Sequence, residues 1–348
     1  MKIGIVTLPL HFNFGGILQA YALQETLKRL NHTPYIIKRK PRNIKDFIKK
    51  ILYSQSRVSQ FVNKYIRFDN LNEPFTMSEI TSKGYDVLIV GSDQVWRPCM
   101  GINRKENINR YFLRTIGNGK VRKVAYAASF GVDFLDFTED EKLLARDLVK
   151  DFIAVSVREK SGLTLCTKYL NRKNVCQVLD PTMLLSKNDY SHFILSSPFK
   201  SKNKHCFVYL LDYEKIKNQK TVKALLPEGS EVLHAKVERN TLKKYLSSNL
   251  TIQNWLSAIY HSDLVITDSF HGCVFSILFH KDFYVMRNDV GGNTRINSLL
   301  TLFSLEDRLI EKEIPVNRMN SINWKSIEEN LQLMRDFSIG YLNKALLQ

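Results

Sequence analysis

The chain has 348 residues, 44% hydrophobic and 11% aromatic, enough apolar material for two cores of ordinary size rather than one small one. Its 51 Lys plus Arg against 34 Asp plus Glu leave a formal charge of +17, which favours anionic partners without choosing among a phosphorylated or carboxylated substrate, an acidic membrane surface and nucleic acid. Five scattered cysteines, Cys99, Cys166, Cys176, Cys206 and Cys273, show no zinc spacing and fit a reducing cytoplasm. The apolar opening from Ile3 to Leu10 is too short for a signal segment, and no run is long enough to span a membrane.

In chain order, Lys2 to Leu8 reads as a strand, Asn13-Phe14-Gly15-Gly16 as a glycine turn, and Ile17 to Leu30 as a helix. Glycines there either let backbone amides approach a ligand or simply make the turn tight. Neither the dinucleotide fingerprint nor a P-loop is present, so no cofactor is expected. Tyr35 to Ile37 is a second strand. From Lys38 to Arg67, ten basic residues stand against the single acid Asp46, with Phe47, Ile48, Ile51, Leu52, Val58, Phe61, Val62 and Tyr65 at helical spacing. This reads as a basic amphipathic pair of helices, a solvated face of its own domain before a membrane or polyanion patch.

Tyr85 to Val90 is a buried strand that delivers Ser92, Asp93, Gln94 and Trp96 to its carboxyl end, where Ser92 and Asp93 could equally cap the next helix. Lys123 to Gly131 follows the same plan and brings Ser129 to the equivalent place, and Asp136 to Glu141 marks a helix start. Phe152 to Val157 delivers Arg158, Glu159 and Lys160. An arginine there suits capture of a carboxylate or phosphate, or else a salt bridge. Val175 to Leu179 closes this half with the turn Asp180-Pro181-Thr182.

Leu185 to Lys204 turns polar and is read as the interdomain connection. This gives an N-terminal domain over residues 1–185, a C-terminal domain over 205–323, and a terminal helix over 324–348 expected to cross back to the first domain. Within the second domain, Cys206 to Leu211, Glu231 to His234 and Phe283 to Met286 read as strands, and Thr251 to Tyr260 as a helix. Gly291 to Arg295 is expected as a mobile loop before a helix at Ile296 to Phe303, with Arg287 at the preceding strand's end.

The organising stretch is Leu264 to Phe279. A buried strand, then Thr267, Asp268 and Ser269 as cap oxygens, then a hydrophobic helix, place His271 at a helix mouth. Carboxyl ends of parallel strands and helix N-termini collect anions there, and an imidazole can give such an anion a proton. The plainer alternative is a capping or packing histidine.

Six ordered blocks carry a resemblance to a known family: NFGGILQAYAL from Asn13, YDVLIVGSDQVWRP from Tyr85, AYAASFG from Ala125, VREKSG from Val157, DPTMLL from Asp180 and ITDSFHGCVF from Ile266. Together, spanning roughly Lys2 to Arg308, they resemble the polysaccharide pyruvyl transferases. The resemblance implies an α/β fold of two Rossmann-like domains facing across a cleft, as in GT-B glycosyltransferases. It also implies transfer of the enolpyruvyl carbons of phosphoenolpyruvate onto two hydroxyls of a saccharide during cell-surface polysaccharide biosynthesis, with phosphoenolpyruvate as co-substrate and no metal.

By the same resemblance His271 is the proton donor and Arg158 a donor clamp. Asp268 and Asp93 are candidates to accept a hydroxyl proton or orient His271. Arg295, Ser269, Gly272 and Ser129 are expected at the donor, and Asn13, Gly15, Gly16, Ser92, Gln94 and Trp96 at the acceptor or cleft. Family members carry an arginine and a leucine before the motif histidine, where this chain has Ser269 and Phe270; Arg295 or Arg287 is the expected replacement cation. A cytoplasmic enzyme at the inner membrane face, acting on a lipid-linked acceptor, follows. The competing readings are a nucleotide-sugar glycosyltransferase on the same architecture and a nonenzymatic polyanion binder; nucleic acid is disfavoured because the basic residues form no recognised nucleic-acid motif.

Overall fold

The computed structural model describes residues 1–38, 48, 53–54, 56–99, 103–197, 205–211, 216–235, 250–287, 293–310 and 321–348. The first of the two expected basic helices lies mostly outside these residues, as do Gly291 and Gly292.

The strands are β1 Lys2–Val6, β2 Thr33–Lys38, β3 Phe68–Asn70, β4 Val87–Val90, β5 Arg122–Ala128, β6 Phe152–Val157, β7 Val175–Gln177, β8 His205–Tyr209, β9 Glu231–His234, β10 Leu264–Thr267, β11 Asp282–Met286 and β12 Leu309–Ile310. The helices are α1 Phe14–Arg29, α2 Arg57–Tyr65, α3 Met77–Ser82, α4 Arg104–Tyr111, α5 Glu139–Leu148, α6 Lys160–Tyr169, α7 Lys187–Leu195, α8 Ile216–Leu225, α9 Ile252–His261, α10 Phe270–Leu278, α11 Asn293–Leu302 and α12 Trp324–Leu347.

Two large sheets result, ordered β3-β2-β1-β4-β5-β6-β7 and β9-β8-β10-β11-β12, beside a two-stranded one in which Phe75–Thr76 pairs with Thr115–Ile116. Every pairing in both is parallel. Parallel strands are covered on both faces, so they read as unbroken apolar runs, and Val87, Leu88, Ile89 and Val90 are fully buried. The first order is that of dinucleotide-binding folds and the second that of flavodoxin-like ones; the strand order reverses between β1 and β4 and between β8 and β10. β1 lies between β2 and β4, with Ile3 level with Pro34 and Val87, and a Cβ at Gly4 would come to 2.8 Å from the Leu88 side chain.

The chain divides into two compact units, Met1–Ser54 with Ser59–Leu184 and Leu333–Gln348, and Gln55–Val58 with Leu185–Gln332. The polar stretch after Leu185 is not wholly a connector. It carries α7, closed by a Ser186/Asp189 capping box, whose Tyr190 ring meets Phe275 edge-on at 5.0 Å. In the first unit the last part of α12 is tied down by Arg335, which donates to the Met183 carbonyl, and by Ser338, whose hydroxyl accepts the Leu179 amide at 3.0 Å. Among the described residues no helix is long and apolar enough to cross a membrane.

Two expected boundaries move. α1 begins at Phe14 because the Asn13 side chain accepts the Gly16 amide and caps it, so the two glycines form its first turn. α11 begins at Asn293, placing Arg295 on a helix instead of in a loop. The short strands β3 and β12 carry no strong apolar run of their own.

β3 also supplies a charge centre. Asp69 accepts from the Tyr85 hydroxyl at 2.7 Å and the Asn70 amide at 2.7 Å, with the Lys2 and Lys83 ammonium groups at 3.3 and 3.2 Å. Burial alone would raise its pKa, but these donors outweigh burial and hold the carboxyl down at about 2. A depressed carboxyl stabilises the fold fully above the ordinary carboxylate pKa and loses that contribution as pH falls through the depressed value. Urea unfolding across pH is therefore expected to show Asp69→Asn about 1–2 kcal/mol less stable than the parent at pH 7, with the gap closing between roughly pH 4 and pH 2.

Candidate active site

In each unit the chemistry-bearing side chains gather where the strand order reverses. In the first unit, a threonine just past β1 stitches the crevice. The Thr7 hydroxyl donates to the Ser92 carbonyl at 3.1 Å, Gln19 donates to the Thr7 hydroxyl at 3.0 Å, and the Ser92 amide donates to Gln19 at 2.9 Å. Gln19 and Ser92 are fully buried. This closed ring satisfies every group in it and fixes the loop after β4 against the first turns of α1.

That loop presents Asp93, which has a left-handed φ of 71°. Its Oδ2 accepts from the Asn13 side chain at 3.3 Å, and its Oδ1 faces Arg158 Nη2 at 3.4 Å. Gly16 makes the approach possible, since a Cβ there would lie 2.9 Å from the Asn13 amide and 3.4 Å from Asp93. The other terminal nitrogen of Arg158 donates to Asp180 at 2.7 Å, and Asp180 also accepts the Thr182 amide and hydroxyl at 3.0 and 2.7 Å. The side chains of Arg158, Asp93 and Asp180 are 1%, 4% and 0% exposed.

Arg158 therefore differs from its expected place as a clamp on a small-molecule donor. Its guanidinium faces inward, with two carboxylates on its terminal nitrogens. Burial disfavours its charge, and Asp180, then Asp93 and Glu159, outweigh burial and raise its pKa above the ordinary value. It acts as the tie that positions Asp93. Asp180 was legible in sequence only as a turn residue; its distance of 22 residues from Arg158 hid the pairing.

Several other residues expected at the donor or in the cleft are also structural. Ser129 donates to the buried Glu159 at 2.9 Å, which also accepts the Phe130 amide at 2.8 Å and so fixes the loop after β5. Ser92 donates to the Ala127 carbonyl at 2.7 Å. Trp96 is a core residue, stacked on Phe112 at 5.0 Å with its indole donating to the Tyr111 carbonyl. Gln94 is half-buried and accepts from Arg97 at 3.1 Å. Asn13 remains exposed at its cap, with Gly15 and Gly16 buried behind it.

In the second unit a threonine again stitches the crevice. Thr267, the last residue of β10, donates to the Tyr209 carbonyl at 2.8 Å and accepts the Ser269 amide at 3.1 Å. Asp268 accepts the Leu211 amide at 2.8 Å, so its carboxylate bridges the carboxyl ends of β8 and β10. Ser269 caps α10, accepting the Gly272 amide, and His271 is the second residue of that helix. Gly272 admits the threonine hydroxyl, which a Cβ would meet at 2.3 Å. His271 is 6% exposed and its ring stands edge-on to Phe270 at 5.1 Å. Arg295, from α11, holds its guanidinium carbon 5.9 Å over the other side chain of that pair, Phe270. Arg287, the other expected cation, is exposed at the end of β11. Burial raises the pKa of both Tyr209 and Cys273, and the Asp268 carboxylate raises them further.

The arrangement thus offers an imidazole and a half-buried guanidinium near a helix N-terminus, where the helix dipole favours an anion. Over residues 13–290 the sequence matches the polysaccharide pyruvyl transferase family model. The chain belongs to that family. No curated protein matches it. As a pyruvyl transferase family member it shares its fold with sugar-nucleotide enzymes. It is similar to a UDP-GlcNAc 2-epimerase from Neisseria meningitidis bound to UDP-GlcNAc, with a TM-score of 0.51 at 14% identity over 99% of this chain and 100% of that one. A putative UDP-N-acetylglucosamine 2-epimerase from Listeria monocytogenes gives 0.51 at 10% identity over 97% and 96%. The UDP-GlcNAc 2-epimerase from Methanocaldococcus jannaschii gives 0.50 at 13% over 96% and 99%. Identities this low carry the GT-B-like α/β fold and nothing further.

Removing one member of a buried ion network strands the others. Arg158→Ala and Asp180→Ala are each expected to cost about 3–5 kcal/mol in urea unfolding, and their effects are expected to be strongly non-additive in the double variant. In the second unit, Gly272→Ala is expected to lower the melting temperature through a clash with Thr267 worth about 1–3 kcal/mol.

Proposed function

We propose that this pyruvyl transferase family member moves the enolpyruvyl carbons of phosphoenolpyruvate onto two hydroxyls of one saccharide, forming a cyclic ketal and releasing phosphate. The observation that carries the reading is His271 in the first turn of α10 at the second sheet's reversal, within a chain that matches the family across both units. Phosphoenolpyruvate is an enol ester, so a proton added to its methylene carbon leaves positive charge on the adjacent carbon. His271 as imidazolium delivers that proton. A sugar oxygen then bonds to the charged carbon and loses its proton. Next the carbon–oxygen bond to phosphate breaks, the phosphate keeping the electron pair, and the second hydroxyl closes the ring and loses its proton in turn.

Asp268, held by the Leu211 amide three residues before His271, is the group we assign to orienting the ring or accepting a hydroxyl proton. Asp93, fixed by Arg158 and Asn13, is the corresponding candidate in the first unit. Arg295 stands in for the family's arginine, with Ser269 and Gly272 shaping the helix mouth. The formal +17 charge suits a trianionic donor and an acceptor carried on a lipid phosphate at the cytoplasmic face. A nucleotide-sugar glycosyltransferase is the alternative on the same fold.

Donor identity separates the two. Phosphoenolpyruvate is expected to raise the melting temperature of the full chain, and UDP- and GDP-sugars are not; the reverse result would reassign the donor. With phosphoenolpyruvate and lipid-linked glycans, His271→Ala is expected to lose about 100-fold or more in turnover with its fold intact. Arg295→Ala is expected mainly to raise KM for phosphoenolpyruvate by roughly tenfold, the loss of one charge-assisted contact.

A further inference from the structure

The outer face of α12 is self-complementary. Within the first unit, this helix turns Leu342, Ala345 and Leu346 inward and anchors itself through Arg335 and Ser338. The opposite face carries Leu333, Phe337 and Leu347, which are 71%, 51% and 74% exposed. With Gly340 and Lys344 between them, these positions step by four, three, four and three residues along the chain, the spacing of a helix–helix seam. Among the described residues nothing packs against Gly340, since a Cβ there would meet none of them within 4 Å. A glycine in mid-helix costs about 1 kcal/mol relative to alanine, and it lets a second backbone approach closely.

We propose that two copies of this chain associate through this face, their α12 helices antiparallel about a two-fold axis at Gly340. The commitment to a second copy rests on symmetry and charge. An axis at position 340 sets Gly340 against itself, Leu333 level with the partner's Leu347, and Asp336 level with the partner's Lys344. The Gly340 pair lies once on the axis and the other two pairs each occur twice, as an isologous contact requires. A lipid surface would gain nothing from an acid and a base spaced to meet each other across a two-fold axis, and an anionic one would be repelled by Asp336, which flanks the seam. The contact is independent of the donor and acceptor assigned above.

Sedimentation velocity on the full chain at micromolar concentration tests it. The parent is expected to be a dimer. Phe337→Glu is expected to weaken it at least about tenfold, and Asp336→Lys to weaken it while the double exchange Asp336→Lys with Lys344→Asp restores it. Circular dichroism checks that each variant folds. In a chain whose exposed Cys99 is replaced by serine, Gly340→Cys is expected to cross-link to itself on mild oxidation and Asp336→Cys is not. A monomeric parent, a dimer indifferent to Phe337→Glu, or flotation of the parent with neutral phosphatidylcholine vesicles in place of self-association would each overturn the proposal.

Discussion

Parallel strands all end on the same edge of their sheet, and this one constraint arranges the rest of the molecule. Each strand hands the chain to a helix there, so loop residues, cap residues and helix N-termini accumulate together. Where strand order reverses, the flanking loops part and leave a crevice. In this chain both crevices are closed at their floor by a threonine hydroxyl, Thr7 in one unit and Thr267 in the other. The side chains that remain above that floor are the ones with chemistry to offer: Asn13 and Asp93 in the first unit, Asp268 and His271 in the second.

Charge inside such an edge has to be neutralised locally. Arg158 is the clearest case, because a guanidinium with a 1% exposed side chain is tolerable only with carboxylates on its nitrogens. Asp180 and Asp93 supply them, and the result couples the ends of β4, β6 and β7. A residue type that would suit a ligand clamp is thereby committed to holding Asp93 in place. Glu159 does the same for the loop after β5 through backbone amides. Both are scaffolding for neighbouring loops, and Arg158 is itself a position that the family resemblance singles out.

The strands were legible because two-sided burial writes itself as continuous Val, Ile and Leu, as in Val87 to Val90 and Phe152 to Val157. Cap chemistry was legible at Ser269, where a short polar oxygen precedes a hydrophobic helix. What sequence could not show was direction. Trp96 follows a strand end as a cleft residue would, yet its ring turns back onto Phe112 because the core beneath has room for an indole and a carbonyl to receive its N–H. Likewise Gly15 and Gly16 read as turn residues, but one side chain, Asn13, converts them into helix. Helix α7 was missed because only Tyr190, Phe193 and Ile194 face inward among polar neighbours. The short edge strands β3 and β12 are formed by pairing with a neighbour, and local propensity does not announce them.

The proposed reaction depends on His271 handing a proton to carbon. Running the reaction in deuterium oxide with phosphoenolpyruvate and a glycan acceptor, then reading the product by mass spectrometry and NMR, tests it most directly. The expected product is a ketal whose methyl group carries one solvent deuterium, with no such product from the His271→Ala chain. A ketal methyl group free of solvent deuterium, or an undiminished yield from His271→Ala, would contradict it.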